Sequence, residues 1–260
     1  MTISNNKNLP NQYTNLNSFF ISIEGNIGAG KSTFLKKITT EFNCPLLLEP
    51  CDQWQNINGY NLLDEFYKDI KRWAYSFQLY AFLTRVESIE KKIDLVKNAF
   101  FISERSIFAD RYVFSEVCYN NGNMSELEWN MYKSWFDWTL HRINKKALPS
   151  AIIYLKVSPE ISHHRINTRG RFEEKSIPIE YLMALNEKYD SLFLSKQNIH
   201  ECIQNIPILT INCDENFENN SKIWENMVYL IKDFIYTNFK KSFLNKGINY
   251  GTNSSRYYNS

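Results

Sequence analysis

The sequence predicts an α/β fold: a parallel sheet covered by helices on both faces. Short apolar runs of β-favouring residues alternate with longer segments whose apolar residues recur at helical spacing. Such alternation builds parallel sheets through right-handed crossovers. The first run also passes through a glycine-rich turn straight into the first helical pattern.

Residues 19–23 (FFISI) read as the first strand. The next segment, 31–42, is a helix with Phe34, Leu35 and Ile38 at helical spacing. Residues 45–48 and 100–103 are further short apolar runs, with a long helical pattern over 69–97 between them. The helix predicted over 125–145 opens with Ser-Glu-Leu-Glu, a capping box. Residues 151–157 (AIIYLKV) form the fourth strand, and 159–168 a helix with Ser158 placed to cap it and Pro159 at its first position. A helix over 178–194, a strand over 206–211 and a last helix over 221–238 complete the pattern. No internal repeat or linker divides the chain, so one domain is expected over 18–240, between tails at 1–17 and 241–260 that lack periodicity and are expected to be disordered.

A chain of 260 residues with 43% apolar and 15% aromatic residues suffices for one self-standing core. Lys and Arg number 30 against 28 Asp and Glu, which argues against attachment to nucleic acid or membrane by bulk charge. The five cysteines are odd in number and contain no Cys-x-x-Cys pair, so neither a disulfide framework nor a zinc site is indicated, and a reducing, cytoplasmic setting is expected. His163 and His164 are adjacent and would point to different sides of a helix, as solvated residues do. No apolar run approaches the roughly 18 to 20 residues that span a bilayer. Residues 1–17 contain Lys7, no Arg and no apolar stretch, matching neither a secretory signal nor a transit peptide.

The turn after the first strand is Gly25-Asn26-Ile27-Gly28-Ala29-Gly30-Lys31-Ser32-Thr33, which satisfies the phosphate-binding pattern of Gly, four residues, Gly, Lys, Ser or Thr. Glycines let successive N–H groups converge on phosphate oxygens, and the following helix adds its dipole. Lys31 would meet the β- and γ-phosphates of a nucleotide, and Ser32 a magnesium ion. A chance lysine in a glycine-rich turn would need neither the strand before nor the helix after. The motif leaves the phosphate acceptor open.

Further along stand Leu48-Glu49-Pro50 and Trp54, Asn61-Leu62-Leu63 and Tyr67, Trp73, and Phe77-Gln78. Glu104-Arg105-Ser106-Ile107-Phe108-Ala109-Asp110-Arg111-Tyr112 follows the third strand, and Arg165 and Arg169-Gly170-Arg171-Phe172-Glu173-Glu174 come later. In order, spacing and residue type these resemble the deoxyribonucleoside kinase family over about residues 19 to 239. The resemblance implies a P-loop kinase fold with five parallel strands in the order 2-3-1-4-5, ATP with Mg²⁺ as donor, and transfer to the 5′-hydroxyl of a deoxyribonucleoside.

On that resemblance Glu49 is the general base, on the sheet rim where ligands of open α/β sheets bind. Arg105 lies near the 5′-hydroxyl and the transferring phosphate, and Glu104 faces Mg²⁺ or its waters; an Arg–Glu ion-pair network is compatible with both roles. Arg165, Arg169 and Arg171 match the family's lid over ATP, although any one of them alone also reads as an exposed basic helix end. Glu174 and Tyr67 match the pair that holds the 3′-hydroxyl; Tyr67 is equally one of 16 tyrosines that pack cores. Trp54, Phe77 and Phe114 match the walls around the base, and Gln78 offers its edge a donor and an acceptor. Arg85 and Asp110 match positions where kinases of deoxycytidine and purine deoxynucleosides keep charge; a surface salt bridge is the alternative.

The segments Asn121-Gly122-Asn123-Met124-Ser125 and Ile206-Pro207-Ile208-Leu209 resemble purine-preferring members slightly more. The expected substrate is therefore deoxyguanosine or deoxyadenosine, with deoxycytidine open. The resemblance also implies a homodimer through the helices over 69–97 and 125–145, with Trp129, Trp135 and Trp138 on the second compatible with a buried subunit face. Two other readings share the phosphate motif. A nucleoside monophosphate kinase would need basic residues where Glu49 stands, and a non-catalytic structural relative would usually lose the loop lysine, the base or the lid arginines.

Overall fold

The computed structural model describes residues 19–96, 100–143, 145–171, 174, 177–197 and 199–244, with side chains described as far as 239. Five parallel strands form one sheet: β1 (Phe19–Glu24), β2 (Leu46–Leu47), β3 (Phe100–Glu104), β4 (Ala151–Lys156) and β5 (Ile208–Asn212), in the order β2-β3-β1-β4-β5. That is the expected order, in a P-loop kinase fold. β1 sits at the centre and is buried throughout.

Between β1 and β2 runs α1 (Lys31–Phe42). Then come α2 (Cys51–Gln55), α3 (Leu62–Lys68) and α4 (Ile70–Leu95). After β3, α5 (Ile107–Ala109), a π-helical turn (Asp110–Phe114) and α6 (Ser115–Asn120) follow one another directly. α7 (Glu126–Arg142) leads to β4, then α8 (Pro159–Arg169) and α9 (Ile179–Asp190) with a π-turn behind it (Ser191–Ser195). α10 (Glu201–Gln204) precedes β5, and α11 (Ser221–Leu244) closes the fold.

Side chains alternate across a strand, so β1 feeds two cores. Phe20 joins the core made with α3, α4, α7 and α9, while Phe19, Ile21 and Ile23 join that made with α1 and α11. Ser22 and Glu24 share the face of Phe20.

Some sequence expectations hold and others shift. The capping box at Ser125 forms in both directions with Glu128. Ser158 takes the N-cap position of α8, but its side chain makes no cap bond; its N–H donates instead to Asp214 Oδ1 at 2.7 Å. The helix expected over 178–194 is α9 plus its π-turn. α11 runs to Leu244, past the expected end at 238, so residues 241–244 of the expected tail are helical; residues 1–17 and 245–260 lie outside the described residues. Trp129 is corrected: it stacks between Tyr119 and Tyr132 inside the core and is not on an outer face, whereas Trp135 and Trp138 are exposed. The short helices α2 and α3 carry too few turns for helical spacing to stand out.

Candidate active site

The C-terminal ends of β1, β3 and β2 deliver the phosphate loop, Glu104 with Arg105, and Glu49 to the same rim of the sheet. This follows from parallel order alone: three neighbouring strands must end on one edge. α4 supplies the facing wall, with Phe77, Ala81 and Arg85 at four-residue steps and Gln78 beside them.

In the loop, Gly28 has φ +79, and a side chain there would run into the Ser162 carbonyl of α8. Asn26 fixes the turn from both ends of its amide: Nδ2 donates to Leu182 O at 2.9 Å and Oδ1 accepts from the Ile27 N–H at 2.8 Å. Lys31 Nζ donates to the carbonyls of Gly25 (3.1 Å) and Asn26 (2.8 Å). Burial first, then the charge of Arg105, brings its pKa down to about 7. The charge of a polyanion in the loop would outweigh both influences and keep Lys31 protonated.

Across the cleft from the loop lies a buried chain of charges. Asp110 Oδ2 accepts from Arg85 Nε at 2.7 Å, Arg85 Nη2 donates to Glu49 Oε1 at 2.7 Å, and Arg105 Nη1 donates to Glu49 Oε2 at 2.5 Å. Arg85 Nη2 also reaches Asp110 Oδ1 at 3.2 Å. The Arg85–Asp110 pair is 4% and 3% exposed, so it is not a surface bridge. Burial alone would raise the pKa of Glu49; Arg105, Arg85 and Lys31 outweigh it and hold the carboxyl at about 2. Burial likewise works against the charge of Arg85, and Asp110 and Glu49 override it, leaving its pKa above the ordinary value.

Beside this chain stand the aromatic walls. Trp54 packs edge-to-face on Phe77 and donates Nε1 to Thr84 Oγ1 at 2.9 Å. Phe114 lies under the Arg105 guanidinium, 4.9 Å from ring centre to cation. Gln78 is buried, its Nε2 3.8 Å from Cys118 Sγ. Glu174 accepts from Arg169, and from Arg171 at 3.4 Å. Tyr67 shares the cleft with Glu174, and burial and that carboxylate both raise its pKa.

Most of the residues singled out from the sequence thus line one cleft: Glu49, Trp54, Tyr67, Phe77, Gln78, Arg85, Glu104, Arg105, Asp110, Phe114, Arg169, Arg171 and Glu174 surround Ile27, Gly28, Gly30, Lys31 and Ser32. Gly25, Asn26, Ala29 and Thr33 shape the loop without lining the cleft. Arg165 is also outside the lining: its Nη2 donates to the carbonyls of Cys213 and Asp214 at 2.9 and 3.1 Å. Phe172 and Glu173 fall outside the described residues. Sequence reasoning missed Cys51, Phe66, Ala81 and Tyr181 in the lining, and Tyr189, whose hydroxyl accepts from Arg105 Nε at 3.1 Å. No spacing distinguishes these tyrosines from the others in the chain.

The family model described as deoxynucleoside kinase matches residues 21–236, nearly the whole described fold. The chain belongs to the deoxynucleoside kinase family. It is 35% identical over 241 residues to human deoxycytidine kinase, covering 84% of this chain and 91% of that protein. Identity is 37% over 242 residues to deoxycytidine kinase 1 of Xenopus laevis, covering 84% and 90%. The mitochondrial deoxyguanosine kinase of Xenopus laevis is 32% identical over 236 residues, covering 83% and 89%. Membership makes the chain a kinase that moves a phosphoryl group from a nucleotide donor to a deoxynucleoside. Among the described residues no helix is long and apolar enough to cross a membrane.

Proposed function

We propose that this deoxynucleoside kinase transfers the γ-phosphoryl group of ATP to the 5′-hydroxyl of a deoxynucleoside whose base carries an exocyclic amino group. The observation that carries the reading is Glu49, held by Arg105 and Arg85 in the same cleft as Lys31. Each Glu49 oxygen spends one lone-pair direction on an arginine and keeps another for a hydroxyl proton. The hydroxyl is thereby aimed along the cleft towards the phosphate loop. A carboxylate of such low pKa is a weak base, which suits a loose transition state that needs positioning more than early proton removal. Lys31 and Arg105 stabilise charge on the equatorial oxygens, with Arg169 and Arg171 arriving from the other side. Arg165 acts one step back, bracing α8 against the segment after β5.

Ser32 and Glu104 fit a magnesium ion: both line the cleft next to Lys31, and a hydroxyl with one carboxylate is the sparse oxygen set that Mg²⁺ uses beside phosphates. Bound there, the ion neutralises phosphate charge.

Tyr67 and Glu174 take the sugar 3′-hydroxyl, and Trp54, Phe77 and Phe114 the faces of the base. Gln78, Arg85 and Asp110 read its edge, and the Arg85–Asp110 pair crowds the methyl group of thymine. The segments that favoured purines, 121–125 and 206–209, lie outside the cleft lining, so the order of deoxyguanosine and deoxyadenosine before deoxycytidine rests on resemblance alone. A homodimer is supported by the exposed Trp135 and Trp138 on α7, at 45% and 55% exposure. The thiols and near-neutral charge agree with a cytoplasmic setting.

The test is transfer from ATP and Mg²⁺ to each of the four deoxynucleosides and to thymidine monophosphate, beside Glu49→Gln. Transfer to amino-bearing nucleosides that the variant loses is the expected result. Preference for thymidine would overturn the role given to Arg85 and Asp110, and phosphorylation of the monophosphate would overturn that of Glu49.

A further inference from the structure

Glu24 is the last residue of β1 and directly precedes the phosphate loop. It is fully buried on the acceptor side of the sheet, and no role in binding or transfer reaches it. Its Oε1 accepts two hydroxyls, from Ser22 Oγ at 2.9 Å and from Ser106 Oγ at 2.6 Å. Its Oε2 has no hydrogen-bond partner. Burial raises its pKa, more than the two hydroxyls and the charges of Arg105 and Arg85 lower it. As a packing residue Glu24 is a poor choice, since an apolar side chain would leave no bare oxygen in the core.

What Glu24 touches is the turn that carries Arg105. Arg105 has φ +57, a left-handed conformation that a side chain of its kind rarely adopts. Such a backbone persists only where its surroundings overdetermine it. Here three bonds do so. The Arg105 N–H donates to Ile23 O at 3.0 Å, Ser103 Oγ donates to Arg105 O at 3.2 Å, and Ser106 Oγ is tied to Glu24. The guanidinium that results donates to Glu49, to Tyr189 and, at 3.3 Å, to the carbonyl of Gly25, the residue after Glu24. In the right-handed or extended conformation the same side chain would leave Glu49.

We infer that Glu24 is a positioning residue: through Ser106 it holds Arg105 in the left-handed conformation that aims its guanidinium at Glu49 and at the phosphate loop. Glu24 thereby registers the acceptor chamber against the start of the donor loop, because both hang from the same two residues of β1. The inference rests on the reading of Glu49 and Arg105 as the acceptor centre.

The experiment is steady-state kinetics on the full chain with its best deoxynucleoside and ATP, with thermal melting to monitor folding. Glu24→Ala is expected to lower kcat by about 30-fold or more with the KM for ATP within about threefold. Glu24→Gln keeps the accepting oxygen and is expected to recover at least about tenfold of that loss. Ser106→Ala is expected to lower kcat by about tenfold. Added to Arg105→Ala, Glu24→Ala is expected to cost less than about threefold more, because its effect travels through Arg105. A folded Glu24→Ala with wild-type kcat, or an effect that multiplies in full with Arg105→Ala, would overturn the inference. If Glu24→Ala does not fold, Ser106→Ala decides: unchanged kcat there overturns it equally. A wild-type chain without transfer to any deoxynucleoside would remove the acceptor-centre reading and the inference with it, whereas active wild type beside an unaffected Glu24→Ala removes the inference alone.

Discussion

Glu49 accepts one arginine on each oxygen and, as the proposed base, must still accept a hydroxyl. Its low pKa follows from that crowding, and it has two measurable consequences. Glu49→Gln removes the counter-charge of two buried guanidiniums, so turnover is expected to fall by about 10²- to 10⁴-fold and stability by about 3 kcal/mol. A melting curve beside the kinetics checks both; a variant that melts above wild type would contradict the charge balance described. The second consequence concerns pH. A carboxyl held at about 2 against an ordinary 4.5 contributes stability that is complete above the ordinary value and is lost as pH falls through about 2. Between about pH 5 and 7 it therefore does not titrate, and kcat/KM for the nucleoside is expected to show no carboxylate inflection there. An acid limb in that range that disappears in Glu49→Gln would refute the depressed pKa. At this scale the sequence was legible where residues sit in motifs. Glu49, Arg105 and Asp110 were found because the stretches after the second and third strands resemble the family's motifs, while Tyr181 and Tyr189, on α9, carry no local mark that separates a ligand wall from core.

Elements were legible wherever period and punctuation agreed. α1 starts at Lys31 because Gly30, at φ +88, turns the chain into it, and α7 starts at its capping box. The π-turn at Asp110–Phe114 was not legible: one extra residue per turn leaves no trace in apolar spacing, yet both its end residues line the cleft. Two predictions belong here. Ser125→Ala breaks the box and is expected to cost about 1 kcal/mol in urea denaturation with kcat unchanged. Gly28→Ala forces a side chain against the α8 backbone at a positive φ, and nucleotide affinity by titration calorimetry is expected to fall at least about tenfold. Affinity equal to wild type would mean that the loop yields more easily than its contacts imply.

The whole molecule is one sheet with a different task on each face. The face of α1 and α11 packs an apolar core, while the opposite face combines its core with the buried charges of the cleft. This division was half legible: the strand order was implied by resemblance, but which helix covers which face depends on contacts between distant residues. The same blindness misplaced Trp129, since the aromatic spacing of α7 looks alike on its inner and outer sides. The outer side can be tested directly. Replacing Trp135 and Trp138 together by Glu is expected to convert a dimer into a monomer in light scattering, and a monomeric wild type would dismiss the subunit face. Finally, all five thiols lie wholly or partly inside the fold, and burial pushes each of them up, Cys44 and Cys202 to about 11 and Cys51, Cys118 and Cys213 to about 12. Alkylation at neutral pH is slowed at all five, and at the buried Cys118 and Cys213 it must wait for the protein to open. The native chain thus carries its own stopwatch: Cys118 times opening of the core, and Cys51, in the cleft beside Glu49, reports on whatever fills the cleft.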